Sequence, residues 1–99
     1  MTTRSLHENH RVNVKLMAGE EASAVAAAAC VDNPDATVED HGSYITISGE
    51  QRLDFNIPTI AEELGRPYDV PTLLVVLSSY TGQVDISDDR VSIKEALAN

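Results

Sequence analysis

The sequence predicts an α+β fold of two βαββ-like halves, with helices packed on two small, mainly antiparallel sheets. Three observations lead there: period-two apolar runs at both ends of the chain, one alanine-rich helix and one short amphipathic helix between them, and turn residues close behind each element. The chain has 99 residues with no internal repeat and no long linker. That length suits one core, and we expect residues 12–99 to form a single domain behind a flexible tail, residues 1–11.

The elements follow in order. Val12, Val14 and Leu16 alternate with Asn13 and Lys15 as a strand with one buried face, ended by Gly19. Glu20 and Glu21 place negative charge at the positive end of a helix, and Ala22, Val25, Ala26 and Ala29 recur at i, i+3, i+4, i+7. Such small side chains let a helix lie close on a sheet. Cys30 reads as a small packing residue in this helix, with no cation nearby to activate it. Asp32-Asn33-Pro34 is the stop, Asn33 being tolerant of a left-handed cap. Thr37–Asp40 and Ser43–Ser48 read as a hairpin turned at His41-Gly42, with Ile45 and Ile47 inward and Tyr44, Thr46 and Ser48 outward. Leu53 and Phe55 mark another strand. Pro58 in a first turn, the capping-box spacing Thr59 to Glu62, the apolar set Ile57, Ile60, Leu64 and the stop Gly65-Arg66-Pro67 predict the second helix. From Leu73 to Ser79 we expect a strand apolar on both faces, Leu73, Val75 and Leu77 on one and Leu74 and Val76 on the other. One face covers the core; the other needs a second layer or a partner. Gln83–Ser87 and Arg90–Lys94 flank an Asp88-Asp89 turn as the last two strands.

Composition excludes several functions. Net charge is −9, so phosphate polymers are repelled and nucleic acid is not an expected partner. No apolar run is long enough to cross a bilayer and the polar start lacks a leader's apolar core, which places the expected protein in the cytoplasm without a membrane partner. One cysteine allows no internal disulfide. We find no phosphate loop, no HExxH, no nucleophile elbow and no nucleophile paired with a local base. His7, His10 and His41 lack a carboxylate pattern for a metal, and Glu20-Glu21, Glu62-Glu63 and Asp88-Asp89 have neighbouring side chains that point apart. The expectation is a protein with no catalytic site and no cofactor. Arg66 reads either as a cation complementing the end of its helix or as a partner contact. Ser78, Ser79, Tyr80, Thr81 and Gly82 read either as a bulge into the next strand or as a recognition tip.

Several blocks carry a resemblance: Asp32-Asn33-Pro34; Val38-Glu39-Asp40 with Ser43-Tyr44-Ile45-Thr46-Ile47; Thr59-Ile60-Ala61-Glu62-Glu63-Leu64-Gly65-Arg66-Pro67-Tyr68-Asp69; and Leu77-Ser78-Ser79-Tyr80-Thr81-Gly82-Gln83. With the lead-in His7-Glu8-Asn9-His10-Arg11-Val12, they resemble the effector, or coupling, proteins of soluble diiron monooxygenases, the regulatory subunits of methane, phenol, toluene and alkene monooxygenases. The resemblance spans nearly the whole chain in the same order. It implies a cofactor-free subunit that binds the diiron hydroxylase reversibly over the helices covering its iron site, alters substrate and oxygen access, and couples electron use to oxidation. It implies a hydroxylase-facing surface of Asn9, His10, Arg11, Tyr44, Arg66, Leu74, Val76, Ser78, Ser79, Tyr80, Thr81 and Gln83. Two departures, Val14-Lys15-Leu16-Met17 in place of a Gly-Pro and an ending Ile93–Asn99 without an aromatic residue, favour an alkene-oxidising or divergent four-component system. There a Rieske ferredoxin and a flavin reductase deliver the electrons. The alternative reading is a small α+β ligand-sensing or interaction domain unrelated to oxygenases.

Overall fold

The computed structural model describes residues 11–95. Strand β1 (Arg11–Met17) lies inside a four-stranded sheet of order β2-β3-β1-β5, where β2 is Thr37–Asp40, β3 Tyr44–Glu50 and β5 Leu77–Thr81. Strands β4 (Arg52–Asn56), β6 (Gln83–Ile86) and β7 (Arg90–Lys94) form a second sheet of order β4-β7-β6. Every pairing is antiparallel. The expected alternation holds: Val14 sits opposite Ile47 and Leu16 opposite Ile45, all four buried, while Asn13 and Lys15 face out opposite Ser48 and Thr46. Leu53, Phe55, Val91 and Ile93 are the corresponding inner face of the second sheet, and both faces join one apolar cluster.

Helix α1 (Glu20–Asp32) packs against β4, β3 and the second helix, α2 (Ile57–Leu64). Its buried stripe is wider than the predicted one, because Ala24 and Ala28 join Ala22, Val25, Ala26 and Ala29. Cys30 is exposed and is not a packing residue. At 100° per residue it shares the outer side with Ser23 and Ala27, and a helix of near-uniform alanine has no polar face from which to read that orientation. The helix does end at Asn33, yet Asn33 is extended (φ −130°) and not left-handed. Its side chain replaces the cap: Nδ2 donates to the carbonyls of Ala29 and Asp54, both at 2.8 Å, and Oδ1 accepts from the Asp54 amide at 2.9 Å. That ties the end of α1 to β4, and Asn33 is only 5% exposed.

Asn56 is the N-cap of α2, with Pro58 in the first turn and a left-handed Gly65 (φ 76°) behind. The Thr59–Glu62 capping box is therefore not formed. Thr59 already lies inside the helix, where its hydroxyl faces Asp32 Oδ1 at 3.5 Å, whereas a cap residue must keep the extended backbone that Asn56 has.

The largest departure is at residues 70–76. They form a third helix, α3 (Val70–Val76), and the strand begins only at Leu77. Asp69 accepts a hydrogen bond from the Thr72 amide at 3.0 Å and Pro71 stands in the first turn, a capped start that outweighs the strand preference of the valines. Val70 and Leu73 turn inward, one helical turn apart. Strand β5 then pairs with β1 across a register shift at Lys15/Leu16. Gly82 carries the chain from the first sheet into the second. A Cβ there would lie 2.4 Å from the Lys94 carbonyl oxygen, so no other residue fits without backbone movement.

Candidate protein-docking surface

Strand β5 lies beside β1 with Ser79 opposite Lys15 and Thr81 opposite Asn13, on the face away from the core. Tyr44 and Thr46 of β3 continue that face, and together these residues line a shallow groove of about 330 Å³ with Tyr80 at its edge. Tyr44 is the organising side chain. The His41 ring stacks on it at 4.5 Å between centroids, Lys15 Nζ lies 4.9 Å from the centroid, and Glu39 reaches the His41 Nε2 at 3.5 Å. Asn13 Oδ1 accepts from the Ser48 hydroxyl at 2.6 Å. A rigid aromatic ring among short hydroxyls offers contact area and hydrogen bonds at little entropic cost.

A second depression, about 380 Å³, opens between the end of β1, the start of α1 and α3. Met17, Val75, Val76 and Ser78 line it, with Arg66 and Glu20 at its polar side. Val75 is 84% exposed and Met17 70%, and Leu74 stands on the outer side of α3 at 38%. These are large apolar groups in water. Arg66 Nη1 meets Glu20 Oε2 at 3.5 Å, an exposed pair that contributes little to stability, so the guanidinium links the loop after α2 to the start of α1. In the same loop, burial first and the Glu21 carboxylate second push the Tyr68 phenol above its ordinary range, so it keeps its proton.

Of the predicted surface, Tyr44, Ser79, Tyr80 and Thr81 meet in the groove, and Arg66, Val76 and Ser78 in the adjoining depression. Leu74 belongs to the same helix as Val76. Gln83 instead belongs to the other sheet, opposite Lys94. Arg11 pairs through its backbone with Glu50 in β1, while Asn9 and His10 lie outside the described residues. Met17 and Val75 also line the depression and Asn13 and Lys15 the groove, four residues outside the expected set. The signal for Val75 was present in the helix start at Asp69-Val70-Pro71-Thr72; with Val70 and Leu73 inward, Val75 must turn outward and Leu74 falls on the flank. Among the described residues no three His, Cys, Asp or Glu gather as metal ligands, and no helix is long and apolar enough to cross a membrane.

Fold and surface together define the class: a small two-sheet α+β domain that presents apolar and hydroxyl groups along the β1–β5 seam and α3. The chain belongs to the MmoB/DmpM family, whose sequence model matches residues 10–94. It is similar to the stimulatory component DmpM of phenol 2-monooxygenase from Pseudomonas sp. (strain CF600), 38% identical over 79 residues that cover 80% of this chain and 88% of that protein. Among solved structures it resembles a chain of a phenol hydroxylase–regulatory protein complex, with TM-score 0.78, 33% identity, and 85% of this chain and 97% of that chain covered. The fold also matches the soluble methane monooxygenase regulatory protein B at TM-score 0.71 and 24% identity, over 89% of this chain and 67% of that one.

Proposed function

We propose that this chain is the regulatory component of a multicomponent monooxygenase and docks on the hydroxylase component through the β1–β5 groove and the α3 depression. The observation that carries the reading is the exposed apolar set Met17, Leu74 and Val75 beside the hydroxyls of Ser78 and Ser79, on a chain similar to a regulatory protein described in complex with phenol hydroxylase. Residues 12–99 act as one domain, and the segment 1–11 adds Asn9, His10 and Arg11 to the contact. The mechanism is differential binding: the domain prefers one conformation of the hydroxylase and shifts the population toward it. The hydroxylase oxidises an aromatic ring or an alkene, and a Rieske ferredoxin and a flavin reductase supply its electrons in the cytoplasm.

The test is hydroxylase turnover with and without the protein, on phenol and on propene, with electron consumption measured alongside product. We expect faster turnover and tighter coupling on one substrate class. Unchanged rate, coupling and product distribution on both would overturn the reading.

A further inference from the structure

Positive charge is scarce on this chain and unevenly placed. Seven Lys and Arg stand against sixteen Asp and Glu, yet three of the seven, Arg52, Arg90 and Lys94, line one depression of about 260 Å³ on the outer face of the β4-β7-β6 sheet. The register brings them there. Arg52 is opposite Lys94 and Asn56 opposite Arg90, while Val91 and Ile93 between them face the core.

The cations are held in place. Arg52 Nη2 donates to Asp54 Oδ1 at 2.8 Å and reaches the Ser92 hydroxyl at 3.5 Å, and Ser92 itself donates to Asp54 Oδ1 at 2.6 Å. Lys94 Nζ meets Asp85 Oδ2 at 2.7 Å. Arg90 forms no close ion pair among the described residues, and its charge acts on the Asp54 carboxylate from farther away. A guanidinium has five N–H donors, so Arg52 keeps donors for a second acceptor after binding Asp54, and Arg90 keeps all of its own. Ile86 borders the depression at the register position opposite the inward-facing Val91, and Asp85, Ser87 and Ser92 complete the polar lining.

We propose that this face is a second docking surface, which takes a short acidic segment of a partner protein. Guanidinium forks match carboxylates in paired geometry. Nucleic acid and an anionic membrane fit less well, because each would extend past the depression onto a surface of net charge −9. The face belongs to the sheet that does not carry the β1–β5 groove, so its occupation does not depend on the function proposed above.

The test uses the full chain, ¹⁵N-labelled, titrated at low ionic strength with triglutamate peptide, short enough to stay within the depression. Amide shifts should centre on Arg52, Ile86, Arg90 and Lys94, saturate, and collapse near about 0.5 M salt. Arg90→Glu, which removes an exposed side chain whose charge acts on Asp54, should weaken the peptide about tenfold or more, with other spectral changes confined to Asp54 and the neighbours of position 90. Lys94→Gln should give a smaller loss. Four results would overturn the proposal: no saturable shift; shifts spread equally over Lys15 and Arg66; tighter binding of inorganic tripolyphosphate than of the peptide at the same residues; or the same shifts appearing with protein concentration alone, which would assign the face to a second copy of the chain.

Discussion

Single side chains separate docking from folding on this domain. Val75 is solvent-facing, so Val75→Asp should leave the unfolding midpoint nearly unchanged while weakening hydroxylase binding by about tenfold or more, read by titrating turnover against domain concentration. Asn33 is the opposite kind of residue. Asn33→Leu leaves the Asp54 amide and carbonyl without their Asn33 partners, while the Ala29 carbonyl keeps the Asn33 backbone N–H, and should cost about 1–3 kcal/mol in urea unfolding. Asp54 adds a pH dependence. Burial opposes its ionisation, but the hydrogen bonds from Arg52 and Ser92 outweigh that and hold the carboxyl below its usual value. A depressed folded value stabilises the protein above the unfolded pKa of about 4, and the contribution disappears as pH falls through the folded value. Urea midpoints of wild type and Asp54→Asn should therefore differ at pH 7 and converge by about pH 2.

At the scale of elements, the physical cause of each success and failure is visible. Strands β1, β3 and β4 were legible because one face of each is buried and the other wet, which writes a period of two into Val12-Val14-Leu16, Ile45-Ile47 and Leu53-Phe55. Helix α1 was legible from composition, though not the direction Cys30 takes. Helix α3 was not, because Leu-Leu-Val-Val has strand preference and only Asp69, Pro71 and Thr72 signal the helix start. Removing that signal is a direct test: Asp69→Ala should raise amide exchange across residues 72–76 while β1 and β3 keep their protection. If residues 73–76 showed the chemical shifts of a strand, the helix and the outward placement of Val75 would both fall. The groove at Tyr44, Ser79 and Thr81 was readable only as a set of candidate residues. Its assembly depends on β5 choosing β1 as its neighbour, a pairing made across more than sixty residues of chain that local pattern does not encode.

At the scale of the whole molecule, the two halves read from the sequence are stitched together. Strand β5 comes from the second half and completes the sheet of the first, while β6 and β7 join β4. One apolar cluster spans both sheets with Phe55 fully buried in it, so Phe55→Ala should lower stability by about 3–5 kcal/mol and unfold both sheets in one transition, by circular dichroism and by exchange alike. Two separate transitions would show that the sheets fold independently.

The crossing at Gly82 has a further consequence for how the protein can be taken apart. Cutting the backbone after Glu50 would not release two mini-proteins. The front piece would be left with an open hydrogen-bonding edge on β1 and the rear piece with a surplus strand. Mixed in solution, the two fragments should find each other and rebuild the domain, each being the missing template of the other.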